Sequence, residues 1–197
     1  MTYYYALTSG NNIFLPAEQP AAIDDGLTED IYNIIPPDIL EKLKELGTEI
    51  NGGKNPPNIE GTYFVSPLTL VKSNFPDAAP CTVYWIGSGN MDLTFSEQNN
   101  TNLTVKLDYS IAEGYETGNG LGAFITGDGN KFSVFVEIKG IIGGYPYKNV
   151  QVQSGEISAN GIRNYQLALI CIEEAPTSIK KGQGRLWKDG DGFSERR

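Results

Sequence analysis

Apolar and polar residues alternate along most of the second half of the chain, a pattern typical of strands that bury one face. The alternation is clearest in residues 103–109, 131–139 and 162–173. Eight or nine strands are predicted in all, over residues 62–67, 81–86, 92–97, 103–109, 121–126, 131–139, 148–158, 162–173 and 184–188.

Short turns separate these strands. Gly127-Asp128-Gly129-Asn130 and Ala159-Asn160-Gly161 predict hairpins, because Asp-Gly and Asn-Gly accept positive φ at little cost. Residues 97–102 predict a third hairpin, and no helical pattern interrupts the series. The chain is therefore expected to be all-β, an antiparallel meander of about eight strands. Such a meander closes into a barrel or folds into a sandwich, and we favour the barrel because closure removes exposed edges.

One helix is predicted before the strands, at about residues 37–46. Pro37 suits its first turn and Gly47 is a natural stop. Its apolar stripe is Ile39, Leu40, Leu43 and Leu46. A helix this short needs a packing partner, and strand 162–173 carries apolar residues on both faces. We therefore expect the helix to cover the outer wall of the barrel at that strand.

The change of pattern predicts three regions. Residues 1–55 form an acidic N-terminal arm that contains the helix, residues 56–192 form the β-barrel domain, and residues 193–197 form a basic tail. Pro56 and Pro57 disfavour helix at the first boundary. Strong strand formers follow them at once, so the barrel is expected to begin there.

Composition and charge limit the classes of binding partner that are expected. The net charge of -9 opposes binding to phosphate backbones, so no nucleic acid is expected. No apolar run approaches the ~20 residues that cross a bilayer, and no signal-peptide pattern stands at the N-terminus. Cys81 and Cys171 are consistent with one disulfide or with two buried thiols, and their spacing does not separate the two.

The residues offer little catalytic chemistry. The chain has no histidine, which excludes Ser-His-Asp and Cys-His catalysis and histidine metal sites. Asp128, Glu137 and the pair Glu173-Glu174 show no spacing that predicts two convergent carboxylates. Residues 188–192 read Lys-Asp-Gly-Asp-Gly, but the further oxygen ligands of an EF-hand calcium loop are missing. We predict no catalytic residues, no metal and no cofactor.

Aromatic residues are the remaining candidates for ligand contacts. Most are expected to pack in the core or across strands. Tyr115, Tyr145 and Tyr147 stand beside or near glycines in predicted loops, so we expect them to be exposed at the barrel mouth. There they could stack on a sugar or cover an apolar molecule.

Three motifs carry a family resemblance, at residues 24–32, 55–67 and 184–192. Together they resemble a family of uncharacterised exported lipoproteins from gut Bacteroidetes. Gly61-Thr62-Tyr63 is also similar to the Gly-x-Trp opening of lipocalin-like barrels. The resemblance implies a periplasmic, outer-membrane or cell-surface setting through a lipidated cysteine, which this sequence does not contain. The family supplies no catalytic residues to carry over.

These observations predict a non-enzymatic extracytoplasmic module that binds a small apolar or glycan-like ligand. One alternative is a structural or interaction lipoprotein of the cell surface whose barrel is filled by side chains. A weaker one is an acid-pair hydrolase. A cavity of ~300 Å³ or more with aromatic lining would favour the binding module.

Overall fold

The computed structural model describes residues 26–75, 89–176 and 179–197, and strands dominate them. Ten strands of this part form one antiparallel sheet. They are β1 Gly61–Val65, β2 Leu68–Ser73, β3 Met91–Asn99, β4 Thr104–Ile111, β5 Glu116–Asp128, β6 Lys131–Ile142, β7 Tyr145–Ser158, β8 Gly161–Glu173, β9 Gly184–Asp189 and β10 Phe193–Arg196. The predicted strand 81–86 and the first 25 residues of the predicted arm lie outside the described residues.

The sheet closes on itself. β1 pairs with both β3 and β10, and β10 also pairs with the first residues of β8. Between β3 and β8 each strand pairs with the next along the chain. Eight strands therefore form a ring, namely β1, β3, β4, β5, β6, β7, β8 and β10. The predicted all-β meander that closes into a barrel is confirmed.

Two long strands bend where the barrel closes. β9 pairs with the later half of β8, and its continuation β10 pairs with the start of β8. In the same way β1 continues past Pro67 into β2, which pairs with β9. Strand prediction missed β2 because Pro67 interrupts the pattern. The predicted tail 193–197 is not separate from the barrel, because Phe193–Arg196 is the closing strand and Ser194 is fully buried.

The predicted turns are present between long hairpins. Gly129–Asn130 joins β5 to β6, and Ala159–Asn160 joins β7 to β8. Between β6 and β7 the chain turns at Gly143 and Gly144, which both have positive φ. That tight turn extends both strands, so the prediction that Tyr145 and Tyr147 lie in a loop is wrong.

Two helices cover part of the outer wall. α2 spans Pro37–Glu45, as predicted to within one residue, and α1 spans Glu29–Ile34 and was not predicted. Their apolar residues pack on the outer faces of β6 to β9. The buried members of this outer layer are Ile31, Ile35, Leu40, Leu43, Leu46, Phe135, Val150, Val152, Ala168, Ile170 and Leu186. The expected cover over β8 is confirmed.

Polar contacts fix the segment that follows α2 to the same wall. The backbone N–H of Asn51 donates to Ser133 Oγ (2.8 Å), and Thr126 Oγ donates to the Asn51 carbonyl (2.6 Å). The Glu49 carbonyl accepts from Ser154 Oγ (2.8 Å). The arm is therefore tied to the barrel before the chain enters β1. In the described part of the chain, no helix combines the length and apolar character that would let it cross a membrane.

One half of the barrel interior is filled by large side chains. Tyr63, Phe95, Phe132 and Tyr165 are fully buried there. The Phe95 ring lies edge-on to Phe132 at 6.0 Å between centroids, and Tyr63 lies 6.2 Å from Phe95. Edge-on aromatic pairs of this kind add to the stability that their buried area gives. This half of the barrel is packed core.

Candidate functional site

The other half of the barrel holds a cavity of about 350 Å³. It lies between the end of β4, the start of β5, the end of β6, the start of β7, the end of β8, and β9 with β2. Phe75, Tyr109, Tyr147 and Trp187 supply its aromatic lining. A cavity of this size falls within the range of small-molecule sites, which starts near ~300 Å³.

β7 turns polar side chains towards this cavity. Tyr147, Asn149 and Gln151 line it, at alternate positions of the strand. Val150 and Val152, between and beyond them, face outwards into the layer under the helices. An ordinary barrel strand turns its apolar face to the interior. β7 is inverted, because its apolar face points outwards and is buried by the helices, while its amide side chains point into the barrel. A row of buried amides towards a cavity provides directional hydrogen bonding for a ligand.

Two glycines make room for two tyrosine rings. Tyr109 on β4 stands opposite Gly118 on β5, and Tyr147 on β7 stands opposite Gly140 on β6. Gly118 and Gly140 are themselves paired, so the four residues form one row across four strands. A Cβ at Gly118 would overlap the Tyr109 ring, and one at Gly140 would overlap the Tyr147 ring. The rings therefore cover the glycines, and their hydroxyl groups meet.

A carboxylate receives both hydroxyl groups. Tyr147 Oη donates to Glu116 Oε1 (2.9 Å), and Tyr109 Oη lies 3.2 Å from the same oxygen. The two phenolic oxygens are also within hydrogen-bond distance of each other. Glu116 is 8% exposed and lines the cavity. Hydrogen bonds to a charged carboxylate are stronger than neutral ones, so this cluster holds its geometry.

The hydrogen bonds continue as a chain into the packed half of the barrel. Gln151 Nε2 donates to Tyr109 Oη (3.2 Å), and Gln153 Nε2 donates to Gln151 Oε1 (2.8 Å). Tyr165 Oη donates to Gln153 Oε1 (2.8 Å). These donors all point the same way, towards Glu116. Buried chains of this kind strengthen one another and fix side-chain orientation.

Both cavity tyrosines stay protonated. Burial raises the pKa of Tyr109 well above its ordinary value, and the charge of Glu116 raises it further. Burial also raises the pKa of Tyr147, with the neighbouring Tyr109 and Glu116 adding to the effect. The tyrosines therefore act as hydrogen-bond donors and not as phenolates.

The opposite wall carries a cation among aromatic rings. The Arg185 guanidinium lies 5.1 Å from the Phe75 ring centroid and 6.0 Å from that of Trp187. Leu167 and Leu169 on β8 continue this wall as an apolar surface. Cys171 lies buried at its end without a disulfide partner in the described part of the chain, and burial raises its pKa to about 11. The thiol is therefore protonated at neutral pH. Its candidate disulfide partner, Cys81, lies outside the described residues.

The structure separates the three predicted ligand contacts. Tyr147 lines the cavity. Tyr115 lies just before β5, half-buried against the core beside Gly143. Tyr145 is 48% exposed at the hairpin tip, outside the cavity lining. Of the three, only Tyr147 reaches the cavity.

The acidic residues considered from the sequence lie away from the cavity. Glu137 and Glu173 face Lys148 on the outer wall, at 2.9 Å and 4.0 Å. In the 188–192 segment, Asp189 Oδ2 accepts from Ser194 Oγ (2.6 Å) and Asp191 Oδ1 accepts from the backbone N–H of Phe193 (2.9 Å). Those carboxylates hold the bend between β9 and β10. In the part of the chain that the structure describes, no three acidic or cysteine residues are grouped as a metal would require.

Sequence reasoning missed all the polar cavity residues except Tyr147. The missed residues are Tyr109, Glu116, Asn149, Gln151, Lys180, Gln183 and Arg185. The available signal was the alternation of Asn149, Gln151 and Gln153 with two valines. This alternation indicates a strand with one amide face and one apolar face. The apolar face would ordinarily be taken as the interior one, whereas Val150 and Val152 face the outer layer. Tyrosine opposite glycine could be recognised only once the strand register was known.

Comparison of the chain with family models, with curated proteins and with solved structures gave no match.

Proposed function

We propose that this protein is a non-enzymatic binding module that takes a small molecule into the open half of its barrel. The observation that supports the proposal best is the unfilled cavity of about 350 Å³ between the tyrosine–glutamate cluster and the aromatic wall. A ligand there would meet apolar side chains on one wall and hydrogen-bonding groups on the other.

The lining favours a ligand with both apolar and polar parts. Leu167, Leu169 and Trp187 provide apolar contact, and Glu116 and Gln151 provide polar contact. Either an apolar molecule with a polar group or a glycan-like molecule that stacks on the aromatics matches this division. The resemblance to exported lipoproteins supports an extracytoplasmic role at the periplasm or cell surface, reached through a lipid anchor.

A structural or interaction protein is the second candidate. The packed half of the barrel favours it, because Tyr63, Phe95, Phe132 and Tyr165 leave no room for a ligand there. An acid-pair hydrolase has less support. Such an enzyme needs two carboxylates that flank the substrate, and among the described residues that line the cavity Glu116 is the only acid.

The test has two parts. Native mass spectrometry of protein purified from its own host should reveal a co-purified small molecule. Filling the cavity should then abolish binding. Leu169→Trp is the variant that fills it, because Leu169 lines the cavity. Ile141→Trp is the matched control, because Ile141 is exposed at a hairpin tip.

The outcomes distinguish the candidates. We expect the Leu169→Trp protein to lose the co-purified molecule while the Ile141→Trp protein retains it. If no molecule co-purifies or binds in a thermal-shift panel, and Leu169→Trp raises the melting temperature, the cavity is only a packing defect. The structural protein would then be the better reading.

A further inference from the structure

The cavity contains two polar side chains whose hydrogen-bonding capacity is unused. Asn149 is 4% exposed, and its Oδ1 has no hydrogen-bond partner. Arg185 Nε is also buried without a partner. A buried polar atom that is left unpaired costs about 1–3 kcal/mol. Two such atoms in the lining of one cavity indicate what a ligand must supply.

Arg185 requires an acceptor. Its guanidinium lies 5.1 Å from the Phe75 ring centroid and 6.0 Å from that of Trp187, and no carboxylate in the described part of the chain lies within ion-pair distance of it. Contact with aromatic rings gives a guanidinium no hydrogen-bond acceptor in the ring plane, so its N–H groups still require one. Planar guanidinium groups match carboxylates through two parallel hydrogen bonds. The group that best satisfies Arg185 is therefore a carboxylate.

Asn149 requires a donor. Its neighbours on the same wall are already engaged, since Gln151 bonds Tyr109 and Gln153, and Tyr147 bonds Glu116. The unpaired Oδ1 can accept one hydrogen bond from an O–H or N–H group. The nearby Glu116 carboxylate makes an anion unfavourable at this wall. A neutral hydroxyl is the simplest donor that fits.

The strand register sets the separation of the two backbones. Arg185 is paired with Leu169, and Leu169 with Gln151, two residues along β7 from Asn149. Two strand spacings place the Cα atoms of Arg185 and of β7 about 10 Å apart. The surface between them includes Leu169, which is apolar. A ligand that reaches both groups therefore crosses this surface with an apolar body of up to about that length.

We propose that the ligand is an amphipathic hydroxycarboxylate, bound with its carboxylate at Arg185 and its hydroxyl at Asn149. This inference rests on the proposed binding function and specifies its ligand class. The apolar body lies along Leu167, Leu169 and Trp187. The cluster of Tyr109, Tyr147 and Glu116 holds the side chains of β7 in place. The negative charge of Glu116 disfavours a second anion at that end of the cavity.

Isothermal titration calorimetry of the whole chain tests this with three matched probe sets. The probes are an ω-hydroxy fatty acid, the fatty acid without the hydroxyl, and the α,ω-diol, each with eight, ten and twelve carbons. We expect the hydroxy acid to bind tightest at one chain length. Loss of the carboxylate should weaken binding about 10- to 100-fold, and loss of the hydroxyl about 5- to 10-fold.

Two variants assign each preference to its residue. Arg185→Met keeps the length and apolar stem of the side chain and should remove the preference for acid over diol. Asn149→Leu should remove the preference for the hydroxyl and leave that for the carboxylate. Thermal melting of both variants checks that they fold. Selectivity of the unchanged protein alone is sufficient should either variant fail to fold.

The failure of this inference is distinct from that of the binding function. If no member of the three sets binds, or if diol binds as well as hydroxy acid, the ligand class is wrong. Should a molecule of another class co-purify and be displaced by Leu169→Trp, the binding function stands without it. Equal selectivity in the Arg185→Met and unchanged proteins would also overturn the assignment.

Discussion

At the scale of single residues, the tyrosine–glycine row is the most restrictive feature of the barrel. Tyr109 and Tyr147 can place their hydroxyl groups on Glu116 only because Gly118 and Gly140 leave space below the rings. Neither glycine has positive φ, so their neighbours require them: the Tyr109 side chain at Gly118, and the Tyr147 side chain with the Thr117 carbonyl at Gly140. Their role is to let a larger residue on the next strand lie flat against the wall.

Gly118→Ala tests that role. Its Cβ would overlap the Tyr109 ring, so we expect a loss of about 1–3 kcal/mol from overpacking. Urea unfolding measures the change. The same substitution in a Tyr109→Leu protein is the control, because the ring is then absent and the cost should shrink. An equal cost in both backgrounds would show that the ring is not the cause.

Asp189 gives the protein a pH dependence. Desolvation by burial, the largest cause, raises its pKa to about 6, with the nearby Asp191 charge adding to the effect. A carboxyl whose pKa is higher in the folded state than in the unfolded chain binds its proton preferentially when folded. Its favourable contribution is complete below the unfolded value of about 4 and is lost as pH rises through about 6.

Asp189→Asn should therefore flatten stability between pH 4 and pH 7. The unchanged protein should lose on the order of 2 kcal/mol of stability between those pH values through this carboxyl, and the variant should not. Urea unfolding at pH 4.5 and pH 7.5 measures the difference. Asp128→Asn, at the exposed end of β5, is the control. The interpretation fails if both variants keep the pH dependence of the unchanged protein.

At the scale of elements, α1 and α2 allow β7 to be inverted. Leu43 of α2 is fully buried in the outer layer that also contains Val150 and Val152. Without that layer, the two valines would face water. Nothing would then offset the free-energy cost of burying the amides on the opposite face of the strand. The helices are therefore part of what turns Asn149 and Gln151 towards the cavity.

Leu43→Ala tests the connection between the helix and the cavity. We expect a loss of about 2–5 kcal/mol in the free energy of unfolding, from lost contact and a residual void. Under the proposed binding function, ligand binding should weaken as well, because the outer support of β7 is lost. Glu41→Ala, on the exposed face of the same helix, should change neither quantity beyond error. If the Leu43→Ala protein is destabilised but its affinity for the ligand is unchanged, the helices do not support the cavity.

Elements with strong local signals were predictable from the sequence, and elements defined by distant partners were not. The helix at 37–46 and the hairpins at 127–130 and 159–161 follow from proline, glycine and apolar spacing. β10 is four residues long and polar, and it is a strand because β1 and β8 lie on either side of it. The same reason applies to the site. Alternation shows that β7 has two faces, but only the position of the helices determines which face is inside.

At the scale of the whole molecule, closure depends on β10. Its pairing with β1 and β8 completes the ring, Ser194 binds the buried Asp189, and Arg196 Nη2 donates to Tyr63 Oη at 2.8 Å. The strand that looked like a solvated tail therefore links the first and last parts of the barrel.

Deletion of residues 193–197 should open the barrel. We expect a loss of at least about 3 kcal/mol, because several hydrogen bonds worth about 1 kcal/mol each disappear. Hydrogen exchange should show reduced protection in β1 and in the first residues of β8. Arg197→Ala is the control, since it removes a half-exposed ion pair with Asp92 and a cation–π contact with Phe64 but leaves the strand pairing of β10 in place. Unchanged protection after the deletion would mean that the remaining strands close without β10.

The inverted strand β7 also affects how this protein tolerates amino-acid change. Tyr147, Asn149 and Gln151 face the cavity, while Val150 and Val152 between and beyond them support the helices. Under the proposed binding function, neighbouring positions of β7 are therefore constrained differently, one set by the molecule that the cavity takes and the other by the packing of the helices. A change of specificity could then arise through alternate positions of one strand, with the positions between them held constant.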